Sequence, residues 1–268
     1  MNRRKALGVL AAIFLLCGRM GVAAQASDEP AAKNAQQAKA ALDAMVKALG
    51  GNAWLEMQNQ MLIGQIAAFF HGSPDPGTTL AFEYHAWPDR DRIEVTKHRD
   101  VIEFVLGNKG WEVTYRGKKP MDPEILADSL RRRDHSIETM VKVWMKDPKT
   151  ILVYEGQRLA ERHLAEQVTL ISAQNDSVTI LMDAQTHLPL QRIFQWRDPV
   201  YHDKNTEVEE YDDYHLVDGI ETPYTISRTK NDAMVRQFYV TRVKYNQNLP
   251  ADFWNPDDAA HHVNHHVK

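Results

Sequence analysis

Apolar and polar residues alternate along much of this chain. In Ser177–Asp183, Val178, Ile180 and Met182 share one parity, and Ser177, Thr179 and Asp183 the other. A second run sets Leu190, Phe194 and Trp196 against Gln191, Gln195 and Arg197. A period of two predicts strands with one buried face and one wet face. The intervening Asp183 to Pro189 is a turn: Asp and Thr side chains bond nearby amides and proline fixes φ. The two arms form a hairpin with one large apolar face, beside which the remaining strands are expected to lie.

Upstream, the period is first helical. Ala38, Leu42, Met45, Val46 and Leu49 fall on one stripe, and Gly50-Gly51 ends the helix. From Met57 the pattern turns to strands. Met61–Phe70 is mostly apolar; Leu80, Phe82 and Tyr84 alternate with Ala81, Glu83 and His85. Ile93 and Val95, Val101–Leu106, then Trp111, Val113 and Tyr115 continue the pattern, with turns at Pro74–Gly77, Pro88-Asp89 and Gly107–Gly110. Short, evenly spaced strands of this kind mark a meandering antiparallel sheet.

One interruption is helical. Asp122-Pro123 has the form of an N-cap with proline at the first position. Ile125, Leu126 and Leu130 define a short helix, and Ile137, Met140, Val141 and Trp144 a second. Strands then resume. Asp218-Gly219 signals a hairpin, a bulge is expected at Glu209-Glu210, and Met234–Tyr245 is the last strand. The expected organisation is a signal peptide at 1–26, a flexible lead-in at 27–37, one domain at 38–257 and a polar tail at 258–268.

The first segment changes where the protein is expected to act. Asn2–Lys5 is basic, Ala6–Leu16 is apolar, and Ala24-Gln-Ala26 is a small-x-small cleavage site. This predicts a secretory signal and a periplasmic address. The single cysteine, Cys17, falls inside it, so the mature chain offers no disulfide and no catalytic thiol. Losing Arg3, Arg4, Lys5 and Arg19 takes the formal charge from −4 to −8, a poor balance for nucleic acid.

No catalytic motif is present, and a non-enzymatic protein without a cofactor is expected. Glu209-Glu210 and Asp212-Asp213 fit a solvated strand face. His261, His262, His265 and His266 have i,i+4 spacing and are candidate metal ligands on a helix. Phe69, Phe82, Tyr84, Phe104, Trp111, Tyr115, Met182, Phe194 and Trp196 all fall on strands. With Met140 and Trp144 on the mid-chain helix as a lid, they are the candidate lining of an apolar cavity. Two alternatives are an enzyme using Tyr84, Tyr115 or His85, and a structural or envelope-stress-sensing module that buries the same face against a protein.

Several stretches resemble the superfamily of LolA and LolB, bacterial lipoprotein carriers and receptors. They are Ala48–Gly51, Asp122–Lys146, Met182–Leu190, Tyr211–Ile220 with Pro223, Asn248-Leu-Pro250 and Phe253–Pro256. The resemblance implies an open, incompletely closed antiparallel β-barrel of about eleven strands, covered by an N-terminal helix and a mid-chain helical insertion. It also implies lipid or lipoprotein acyl chains as ligands, a monomer, and an inner-membrane transporter or outer-membrane receptor as partner.

Overall fold

The computed structural model describes residues 28–160 and 162–266. The expected signal peptide and Cys17 lie outside the described residues. Helix α1 spans Asp28–Leu49 and α2 Asn52–Leu55. Strands β1 (Asn59–Phe70), the short β2 (Ser73–Pro74), β3 (Thr79–Ala86), β4 (Arg90–Val95), β5 (Val101–Leu106), β6 (Lys109–Thr114) and β7 (Gly117–Pro120) follow. Then come α3 (Pro123–Asp134), α4 (Ile137–Lys142) and a 3-10 turn at Trp144–Lys146. The second strand run is β8 (Ile151–Ala160), β9 (His163–Ile171), β10 (Ser177–Asp183), β11 (Pro189–Arg197), β12 (Lys204–Val217), β13 (Ile220–Lys230) and β14 (Ala233–Tyr245). A 3-10 turn at Ala251–Trp254 and α5 (Pro256–His266) end the described chain.

The sheet is antiparallel throughout and runs β7-β6-β5-β4-β3-β1-β14-β13-β12-β11-β10-β9-β8, with β2 hung on β1. Its ends, β7 and β8, do not pair, so the barrel stays open. Among the described residues the sheet has fourteen strands, the short β2 and β7 included, where about eleven were expected. The two meanders meet at β1 and β14, where Met61 pairs with Lys244 and the register shifts between Ile63 and Gly64. A Cβ on Gly64 would lie 2.1 Å from the Tyr239 carbonyl, so this seam admits only glycine.

The inner face is packed by helices. Ala38, Leu42, Met45 and Leu49 of α1, with Met140 and Val141 of α4, bury against Val168, Leu170, Val178, Ile180, Met182 and Phe194. Burying a large apolar side chain contributes roughly 1.5–3 kcal/mol, so this cluster seats both helices. The lead-in expected to be flexible is instead the first half of α1, which begins at Asp28. Its Ala, Gln and Lys residues are good helix formers, and Asn34 fixes it to β8. The alternation in β11 also breaks: the shift at Leu181/Met182 turns Leu190 to the outer face beside Ile193.

A second layer covers the outer face. Ala259 and Val263 of α5 pack on Ile102, Phe104 and Val113. The expected polar tail is therefore a docked helix. Its polar composition hides two small apolar residues spaced i,i+4, enough for a stripe over one strand pair.

Candidate functional site

The mid-chain helices form a lid held to the sheet by the apolar side of α4 and by a set of polar contacts. Asp122 caps α3 by accepting from Glu124 N at 2.8 Å, and Ser136 caps α4 by accepting from Thr139 N at 3.1 Å. Arg133 donates to the carbonyls of Asp89 at 3.0 Å and Gly107 at 2.5 Å. Arg192, on β11, is fully buried. It donates to the carbonyls of Arg132 at 3.1 Å and His135 at 2.9 Å, satisfying the end of α3 from the sheet side. Its other terminal nitrogen donates to Glu209 at 2.7 Å, and Arg228 reaches the second oxygen of Glu209 at 2.8 Å.

These charges are coupled. Burial works to raise the Glu209 carboxyl, but the Arg192 and Arg228 guanidiniums outweigh it and hold the group well below the usual carboxylate range. Tyr211 donates to Glu209 at 3.0 Å, and burial drives its own phenol well up. Burial lowers the Arg132 guanidinium, helped by Arg228 nearby. His85 is raised: burial lowers it, but its 2.6 Å contact with Asp91 outweighs that.

Between lid and sheet lie two adjoining lobes of about 230 and 250 Å³. The first has an apolar wall at the ends of α1 and α2, made by Leu49, Trp54, Met57, Ile220 and Tyr245 over Leu62, Ile226 and Phe238. Burial pushes the Tyr245 phenol up to about 12, and its oxygen sits 2.5 Å from Thr222 Oγ1. The first lobe then runs into charge, because Glu83, Arg132, Arg228, Arg236 and Glu138 belong to both lobes. The site is thus apolar at one end and ionic at the other.

The residues expected to line one apolar cavity divide among separate clusters. Met140, Met182 and Phe194 are buried in the helix-packed core, with Trp144 and Trp196 against it. Phe82 and Tyr84 pack on the outer face with Trp254 and Phe253; Tyr84 alone of the set also borders the polar lobe. Phe104 and Trp111 lie under α5. Tyr115 is 58% exposed, and Phe69 is half-buried near the far end of β1. The strand parity of β3 and β5 explains the error: Phe82 and Phe104 take the face opposite Glu83 and Glu103, which line the polar lobe. Glu209, expected on a wet face, is a buried anchor, while Asp212 and Asp213 are exposed. The bulge expected at Glu209-Glu210 is absent, since both residues keep regular register with β11.

His261 and His262 are exposed on α5, and the side chains of His265 and His266 lie outside the described residues. Among the described residues no three His, Cys, Asp or Glu side chains are grouped to hold a metal ion. No described helix is long and apolar enough to cross a membrane.

Neither a family model nor a curated protein matches this sequence. Solved structures do match its fold. A DUF1329 family protein from Desulfovibrio piger superposes with a TM-score of 0.55 at 12% identity, covering 81% of this chain and 97% of its own. A putative outer membrane lipoprotein-sorting protein domain from Vibrio parahaemolyticus gives 0.51 at 10% identity over 87% and 99%. A LolA superfamily protein from Nitrosomonas europaea gives 0.51 at 11% identity over 84% and 98%. The chain has a LolA-like fold.

Proposed function

We propose that this chain of LolA-like fold is a non-catalytic periplasmic binder and carrier of an amphiphilic lipid. The ligand's chain would lie along the apolar wall from Trp54 to Phe238. The observation that supports this is the graded cavity, greasy at one end and ionic at the other. Ligand pockets of about 300–1,000 Å³ are typical, and two connected lobes of this size suit one chain with a small headgroup. Each buried methylene contributes about 0.8 kcal/mol, so six would give roughly 5 kcal/mol. The lipoprotein-sorting name of one structural neighbour fits an acyl ligand handed between membrane partners.

The test is mass spectrometry of lipid co-purifying with the protein, followed by uptake of a fluorescent fatty acid after delipidation. Ile226→Trp, which fills the apolar end of the first lobe, is expected to cut uptake at least tenfold while leaving the far-UV spectrum unchanged. Wild-type protein that carries no lipid and takes up no probe would sink the proposal.

A further inference from the structure

The charges at the ionic end of the cavity cancel. Six cationic groups line the two lobes: Arg132, Arg133, Arg192, Arg228, Arg236 and His85. Four carboxylates meet them directly. Arg192 and Arg228 share Glu209, and the buried Glu207 lies 3.6 Å from Arg132 and 3.5 Å from Arg228. Arg236 meets Glu83, and Asp91 is shared by His85 at 2.6 Å and Arg133 at 3.7 Å. Two further carboxylates complete the set. Arg132 and Arg236 favour the ionised form of Glu103, and Glu138 favours the charged forms of Arg192 and His85. Glu221 borders only the first lobe, beside Ile220 and Thr222, and stands apart from this group.

A charged headgroup is poorly served by such walls. A carboxylate or phosphate must draw a guanidinium from its partner, and an ammonium must draw a carboxylate from its own. Either leaves one charge over in a half-buried space, where unpaired charge is costly. A head without charge needs only hydrogen bonds. Gln60, on β1, pairs across strands with Tyr245, which lines the first lobe, and with His85, which lines the second. Its carboxamide borders both lobes and has no hydrogen-bond partner among the described residues. Nearby hydroxyls are already engaged, Ser136 with Thr139 at 3.1 Å and Thr222 with Tyr245 at 2.5 Å. A carboxamide both donates and accepts, which matches a hydroxyl or an ester.

Resting on the amphiphile-binding reading above, we infer that the carried lipid has an uncharged, hydrogen-bonding head, of the hydroxyl and ester kind found in a monoacylglycerol, and that Gln60 receives it where the two lobes meet. A small polyol shares this head chemistry, so the test separates the two.

Calorimetry on the full chain at neutral pH would compare monododecanoylglycerol, dodecanoate and dodecylamine below micellar concentrations, with glycerol as the chainless probe. The monoglyceride is expected to bind about tenfold or more tighter than either charged chain, because neither charge finds a free partner. Gln60→Leu should weaken the monoglyceride about fivefold, the worth of one neutral hydrogen bond. Gln60→Glu adds a carboxylate to balanced walls and should shift the preference to dodecylamine. Three results overturn the inference and leave the carrier reading standing: a charged chain binding wild-type protein as tightly as the monoglyceride, monoglyceride affinity unaltered in Gln60→Leu, or a preference unmoved in Gln60→Glu. Glycerol binding as tightly as the monoglyceride keeps the uncharged-head site and overturns the lipid. Binding by none of the four removes both. If the variants do not fold, the ranking of probes on the wild-type protein still decides.

Discussion

Arg192 donates from the sheet to the backbone carbonyl of His135 at 2.9 Å, so the lid is held at its bend by a residue of the floor. The same guanidinium neutralises Glu209. Removing it takes one of two guanidiniums from buried Glu209 and leaves two carbonyls without their donor. Arg192→Met is expected to lower unfolding free energy by about 3–5 kcal/mol, the usual cost of breaking a buried pair from one side. Urea denaturation measures this directly, and a loss below about 1 kcal/mol would mean that the network is no stronger than a surface contact.

The depressed Glu209 carboxyl also sets a pH dependence. Because its folded pKa lies below the unfolded value, its stabilisation is fully present above about pH 4.3 and is lost as pH falls from there toward the folded pKa. Melting temperature is therefore expected to drop steeply below that point. Glu209→Gln should be less stable than wild type at neutral pH and should flatten the acid slope; an unchanged slope in the variant would assign acid sensitivity elsewhere.

Asn34 of α1 protects the free edge of the sheet. Its amide donates to the Tyr154 carbonyl at 2.7 Å and accepts from the Tyr154 N–H at 2.9 Å, occupying both outward backbone groups of that β8 residue. Asn34→Ala is expected to cost about 2 kcal/mol, near 1 for each bond. Hydrogen exchange at the Tyr154 amide should accelerate, and the variant should self-associate more readily through the exposed edge.

Gly50 lets α1 end against the β12–β13 turn. It has φ +130, and a Cβ there would lie 2.4 Å from the Gly219 carbonyl. Gly50→Ala is expected to destabilise the protein by at least about 2 kcal/mol, since backbone strain and backbone collision act together. Gly51→Ala has only the positive φ to overcome, with nothing within 4 Å of the added carbon, and should cost less. Equal losses in the two variants would show that the close contact is unimportant.

Much of the architecture was legible in the sequence. The parity of Val178, Ile180 and Met182, the stripe of α1 and the Asp122-Pro123 cap all act through local physics, and each appears where the pattern puts it. The site was less legible. Period two states which residues share a face but not which face turns inward: Glu83 and Glu103 line the polar lobe, while Phe82 and Phe104 turn to the outer face. Arg192 carried a signal, because it has the parity of Phe194 and Trp196 and interrupts an apolar face. Its partner Glu209 is separated from it by a hairpin, and adjacency across strands depends on register that sequence does not display. The tail misled for a simpler reason, that two small apolar residues among histidines look solvated until a strand pair is placed beneath them.

The seam between β1 and β14 carries a consequence for how the molecule comes into being. Its paired residues stand some 180 positions apart, as Met61 and Lys244 do. The amino-terminal meander has no neighbour along that side until almost the entire polypeptide has been delivered, and distant pairings of this kind assemble slowly. An emerging chain would therefore hold one side of β1 unpaired, with β3 on the other, until β14 arrives.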